Sequence, residues 1–319
     1  MRIAQVLIAA VLSIGGGTSC VTATQSPIGS VEAPGVQRST TVAAPANQVT
    51  PPREENSVRF AVIGDTGTGG RSQFEVAAQL TKAREVFPFE FVIMLGDNIY
   101  GSERPQDFIN KFEKPYQAIL DEKVPFYAAL GNHDDPTQRY YKPFNMGGER
   151  YYTFSKGDAR FFVLDSNYMD QAQLKWLEEE LSRANDRWKI SYFHHPLYSS
   201  GEKHGSELDL REQVEPLFLK YGVDVVFAGH EHFYERIKPQ NGIYYFIQGG
   251  SAKLRKGDIR EGALTAAGFD TDFSFTLVEL GKDAMHVQTL SRLGRPVDSA
   301  TLRLAEEPKR PAETPPASR

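Results

Sequence analysis

The stretch Phe91-Val92-Ile93-Met94-Leu95-Gly96-Asp97-Asn98-Ile99-Tyr100 decides how the remainder of the chain is read. Its five consecutive apolar residues predict a strand too hydrophobic to face water on either side. The run stops at once on a glycine and a carboxylate. The same pattern recurs on both sides of it. Val58-Arg59-Phe60-Ala61-Val62-Ile63 ends in Gly64-Asp65-Thr66-Gly67, and Phe126-Tyr127-Ala128-Ala129-Leu130 ends in Gly131-Asn132-His133-Asp134. Phe161-Phe162-Val163-Leu164 ends in Asp165, and Ile190-Ser191-Tyr192-Phe193 ends in His194-His195-Pro196. Val223 to Ala228 ends in Gly229-His230-Glu231-His232. In open α/β sheets ligands bind beyond the carboxyl ends of the strands. The pattern therefore places Asp, Asn and His, all metal-ligating residue types, along one rim.

Helical stretches separate these strands. Phe74, Ala77, Ala78 and Leu80 predict one buried face, Phe108, Phe112 and Ile119 mark a second helix, and Leu174, Leu177 and Leu181 recur at spacings of three and four. From about 272 to 303 the pattern alternates, as in Phe273, Phe275 and Leu277, which predicts an antiparallel ribbon. Residues 20–57, rich in Thr, Pro, Ser, Ala and Val, read as a flexible tether, and residues 306–319 as a disordered tail. The folded part, residues 58–305, has the size of one domain.

The chain has 319 residues, with 40% apolar and 24% charged, an ordinary balance for a globular protein. Its formal net charge of −5 offers no basic field, so no nucleic-acid binding is expected. Residues 1–19 read as a signal peptide: Met1-Arg2, an apolar run from Ile3 to Ile14, then small residues. That run falls short of the roughly 20 residues a membrane helix needs. Cys20 is the single cysteine and stands where a lipoprotein carries its lipid, although the usual Leu three residues earlier is Gly17. The expectation is an exported protein, a periplasmic or outer-envelope lipoprotein attached to the membrane through lipidated Cys20, or a simply secreted one.

The order Gly-Asp, Gly-Asp-Asn, Gly-Asn-His-Asp, His-His and Gly-His-Glu-His resembles the calcineurin-like metallophosphoesterases over residues 58–250. Most members carry a His two residues after the first Asp. Here that residue is Gly67, and Tyr100 stands three residues after Asp97, which resembles the small purple acid phosphatases. The resemblance implies an α/β, metallophosphoesterase-type sandwich of two mixed β-sheets flanked by helices. It implies a first metal held by Asp65, Tyr100 and His232, a second held by Asn132, His194 and His230, and Asp97 as bridge. A phenolate with carboxylates suits Fe(III), and two imidazoles with an amide oxygen suit Fe(II), Zn(II) or Mn(II). Paired metals lower the pKa of bound water and clamp the oxygens of an in-line displacement, so hydroxide is the expected nucleophile.

The same resemblance assigns proton donation to the leaving group to His133, with Asp134 orienting its imidazole, and contact with the substrate phosphate to His204. His195 follows a strand-end ligand, so alternation turns it to the opposite side. Glu231, between two ligands, reads as structural. The expected activity is hydrolysis of phosphorylated small molecules, chiefly phosphomonoesters. The alternatives are a phosphodiesterase or nucleotide pyrophosphohydrolase on the same metal core and a non-catalytic scaffold. Loops 101–107, 135–150 and 252–268 are the segments expected to choose the substrate.

Overall fold

Two β-sheets lie face to face, and the strand-ending motifs share one edge of the pair. The computed structural model describes residues 51–260 and 262–304. In the first sheet β1 (Val58–Ile63), β2 (Phe91–Met94) and β3 (Phe126–Ala128) run parallel. The strands β11 (Ser274–Leu280), β12 (Ala284–Ser291) and β13 (Pro296–Arg303) extend it as the antiparallel ribbon, with β11 against β1. The second sheet contains β4 (Tyr152–Lys156), β5 (Ala159–Val163), β6 (Trp188–Phe193), β7 (Val225–Ala228), β8 (Tyr234–Ile237), β9 (Tyr244–Gln248) and β10 (Thr265–Phe269). Its order is β10-β8-β9-β7-β6-β5-β4, and the four strands from β9 to β5 are parallel. Parallel strands need crossover connections, which is why helices separate them.

The apolar runs have two faces because they fill two interfaces. Between the sheets, Phe60 stacks on Phe91 with ring centroids 5.1 Å apart and meets the edge of Phe161 at 5.5 Å. Such pairs contribute about 0.5–1.5 kcal/mol each beyond their area burial. The outer face of the first sheet is covered by α1 (Arg71–Val86) and by a helical run of α2 (Pro105–Phe108), a π-helical turn (Ile109–Glu113) and α3 (Lys114–Asp121). The outer face of the second is covered by α4 (Gln171–Arg183) and α5 (Leu208–Tyr221). Asp170 caps α4 by accepting the Gln173 N–H, and Gly222, at φ 69°, ends α5. No helix among the described residues is long and apolar enough to cross a membrane.

Two local readings change. Phe74 and Ala78 were expected inside, yet Phe74 is 41% exposed and Ala78 faces water. The buried residues of α1 are Gln73, Val76, Ala77, Gln79, Leu80 and Ala83. Gln73 can enter the interior because its amide is paired, accepting the Gly69 N–H at 2.7 Å and donating to the Lys111 carbonyl at 2.5 Å. The end of the expected tether is also anchored. The Arg53 and Glu54 amides and the Ser57 hydroxyl all donate to the buried carboxylate of Glu279 on β11. The signal peptide, Cys20, the tether up to residue 50 and the tail lie outside the described residues.

Candidate metal centre

Three of the strand-end motifs turn at the donor residue itself through a backbone bend. Asp65, Asp97 and His230 all adopt positive φ, at 55°, 52° and 68°. Such conformations cost L-residues energy and persist where the surroundings enforce them. The loops are also too close together for side chains. A Cβ on Gly131 would stand 2.2 Å from the Asp97 amide nitrogen, and one on Gly67 would stand 1.9 Å from the Asn98 carbonyl oxygen. The first and second loops are joined by backbone bonds on both sides of that contact, Gly67 N–H to Asp97 O and Tyr100 N–H to Gly67 O. Position 67 is thus closed to any larger residue, and Tyr100 enters the site in its place.

Two donor clusters result. The Tyr100 hydroxyl is 3.0 Å from Asp65 Oδ1 and 3.4 Å from His232 Nε2, which is 3.3 Å from Asp65 Oδ1. His194 Nε2 is 2.9 Å from Asn132 Oδ1 and 3.1 Å from His230 Nδ1. Asp97 lies between the clusters, with Oδ1 3.4 Å from His194 Nε2. Around an ion with bonds of roughly 2.0–2.2 Å, neighbouring donors stand about 3 Å apart. Both clusters have that spacing.

The chemistry of the donors also fits a cation. His194 Nδ1 lies 2.9 Å from the Leu95 carbonyl, which can only accept. That nitrogen therefore carries the proton, and Nε2 presents a lone pair to the oxygens of Asn132 and Asp97. Lone pairs pointed at one another in a dry site repel unless a positive charge lies among them. Asp65 and Asp97 are almost wholly buried. Burial, and then the neighbouring Asp97 charge, raise the Asp65 carboxyl well above its usual range. Burial, then Asp65 and Asp97, hold the Tyr100 phenol far above its usual range, so it stays protonated until a strong positive charge arrives. Burial is also the main cause that lowers His230 to about 2, ahead of its neighbour His194, and His232 to about 3, ahead of Arg255. Both imidazoles are thus neutral, the form that binds metal.

The expected catalytic residues divide. His133 is exposed at the rim, its ring centroid 5.0 Å from that of Tyr100, and its amide donates to Asp97 Oδ1 at 3.0 Å. His204 stacks on His230 at 4.2 Å, so its loop does reach the second cluster. Asp134, expected to orient the His133 imidazole, instead joins loops. Its carboxylate accepts from the amides of Gly131, Asn98 and Ile99 and from the side chains of Asn98 and Gln138. Those donors leave it no role at His133. Glu231 has a definite structural task. It accepts the Gly205 N–H at 2.7 Å, the Ser199 hydroxyl at 3.3 Å and the Arg255 guanidinium at 2.9 Å, tying the His204 loop to the centre.

His195 is the residue the alternation argument missed. Its ring lies 4.9 Å from His194 and 4.5 Å from His230, on the same side as both. β6 ends at Phe193, so strand alternation no longer applies one residue later. The cavity beside the centre was missed as well. It is lined by residues 166–168, 207 and 210, outside the three loops expected to choose the substrate.

The calcineurin-like phosphoesterase family model matches residues 58–234. Purple acid phosphatase 17 of Arabidopsis thaliana is 30% identical over 250 residues, spanning 66% of this chain and 73% of that protein. Two solved structures share the fold. The anchor protein of the Plasmodium inner membrane complex superposes with a TM-score of 0.67 at 21% identity, covering 78% of this chain and 90% of that one. A purple acid phosphatase from yellow lupin (Lupinus luteus) seeds superposes at 0.63 and 20% identity, covering 82% of this chain and 55% of that one. The chain belongs to the calcineurin-like phosphoesterase family, with purple acid phosphatases among its relatives, and is a metal-dependent phosphoesterase.

Proposed function

We propose that this phosphoesterase hydrolyses phosphomonoesters at a dinuclear centre of the purple acid phosphatase type. In this reading Asp65, Tyr100 and His232 would hold Fe(III), Asn132, His194 and His230 would hold Fe(II), Zn(II) or Mn(II), and Asp97 would be shared between them. The supporting observation is the pair of donor clusters, three hard oxygen and nitrogen donors on one side and two imidazoles with an amide oxygen on the other, meeting at Asp97. Two cations held by these residues would supply positive charge for the phosphoryl oxygens and would activate a water as nucleophile.

The chain's own groups do the remaining work. Glu231 and Arg255 hold the rim loop that carries His204 over the second cluster. His133 is exposed at the rim beside the Tyr100 ring, where a leaving oxygen could take a proton from it. Leu95 holds His194 in the tautomer that leaves Nε2 free. A scaffold without catalysis is disfavoured by the seven converging donors, which binding a partner protein would not require. Metal analysis of the purified protein, run beside a panel of mono- and diesters, tests the reading. Two metal equivalents with a monoester preference are expected. A diester preference, or turnover unaffected by chelators, would replace it.

A further inference from the structure

His195 is not idle beside the centre. Ser166 Oγ accepts the His195 amide N–H at 3.1 Å and lies 2.8 Å from its ring Nδ1. With one lone pair taken by the amide, the hydroxyl can give its proton to Nδ1, which leaves the ring proton on Nε2. The ring also forms part of the wall of a cavity of about 370 Å³ that opens beside Asn132. Cavities of that size hold small ligands.

The lining states what such a ligand must look like. Ser166 supplies a hydroxyl, Asn132 and Asn167 amides, His195 an imidazole, and Glu207 and Asp134 carboxylates, while Leu210 and Tyr168 supply apolar surface. Tyr168 is 59% exposed at the mouth. No lysine or arginine lines the cavity. Arg150 lies over the Tyr168 ring at 5.6 Å, but its guanidinium is engaged by Asp165 and Asp170. The Glu207 carboxylate makes no capping bond to α5 and no ion pair among the described residues, so it is open to accept hydrogen bonds from hydroxyls and repels a second phosphate.

We propose that this cavity is the subsite for the leaving alcohol, that it selects uncharged, hydroxyl-rich alcohols of the sugar and polyol class, and that His195 donates a hydrogen bond to the alcohol there. The proposal rests on the monoesterase reading above and adds the substrate class to it. It disfavours nucleotide pyrophosphates, whose leaving group would bring a negative charge to Glu207.

The test compares wild type, His195→Phe and Glu207→Lys on a hexose 6-phosphate, 4-nitrophenyl phosphate and ADP, with metal content measured for each protein. Both variants are expected to keep two metal equivalents. In both, the ratio of kcat/KM for the hexose ester to that for the nitrophenyl ester falls about tenfold, the loss of one good hydrogen bond. In Glu207→Lys, ADP gains relative to the hexose ester. An unchanged ratio in both variants overturns the subsite. Loss of one metal equivalent from His195→Phe overturns the donor role, because His195 would then be a ligand. A wild type that turns over the nitrophenyl ester but no hexose ester overturns the substrate class alone. One that holds two metals and turns over neither overturns the monoesterase reading and this inference with it.

Discussion

The Tyr100 hydroxyl donates to Asp65 Oδ1 at 3.0 Å, across the loop contact in which a Cβ on Gly67 would collide with the Asn98 carbonyl. The missing histidine and the added tyrosine are therefore one arrangement. The second loop packs onto Gly67, and that packing carries Tyr100 into the centre. Gly67→Ala should destabilise the fold by about 3 kcal/mol, since backbone atoms rather than a flexible side chain must move. Urea unfolding midpoints measure this, and an unchanged midpoint would show that the loops can part freely.

The proposed Fe(III) beside this pair predicts a colour. A phenolate ligand favours Fe(III) and donates charge to it, giving a visible band. The oxidised, iron-loaded protein is expected to be purple, and Tyr100→Phe to lose both the band and affinity at the first position while keeping the divalent ion. A wild type with full iron and no visible band would return the chain to the general metallophosphoesterases.

Asp97 lies between the clusters, its Oδ1 3.4 Å from His194 Nε2 and its charge beside Asp65. Asp97→Asn keeps its shape and removes its charge. Metal content should drop and turnover should fall by orders of magnitude. Wild-type turnover with metals retained would exclude a bridging role.

His133 is free at the rim, and Asp134 does not restrain it. If it protonates the leaving oxygen, His133→Ala should slow esters of aliphatic alcohols by on the order of 10²–10³-fold. Nitrophenyl esters, whose leaving group needs no proton, should lose far less. Equal losses on both would make His133 a binding residue.

Glu231 is wholly buried and carries three partners. Glu231→Ala should cost about 2–3 kcal/mol of stability, because the Gly205 amide and Arg255 are left without their acceptor. Its kcat/KM should fall while both metals stay bound. Glu231→Gln, which keeps one acceptor for Gly205, should recover part of the stability. If both substitutions behave as wild type, the His204 loop is held by other contacts.

Export remains a reading of the first twenty residues. Cys20→Ser should move the protein from the membrane fraction to a soluble extracytoplasmic one. Unchanged fractionation would leave Cys20 without a lipid and the protein simply secreted.

What the sequence determined by itself was the set of strands and the donors at their ends. Buried parallel strands announce themselves as continuous apolar runs, and each run here stops on a glycine followed by Asp, Asn or His, or directly on Asp or His. The two sheets and the polar residues along their shared edge were legible for that reason, and Gly67 with Tyr100 marked the resemblance to purple acid phosphatases. Tertiary structure alone decided three things. Alternation along a strand says nothing once the strand has ended, so only the bend after Phe193 could put His195 beside His194 and His230. Asp134 stands next to His133 in the chain, yet Gly131 and Gln138 of its own segment and Asn98 and Ile99 of the second loop claim its carboxylate, and sequence spacing cannot rank competing donors. The cavity joins residues 131, 132, 134, 166–168, 195, 207 and 210, segments that meet only because the parallel strands end on one edge. Local pattern reports what each segment prefers. Which segments meet is set by the packing of the two sheets.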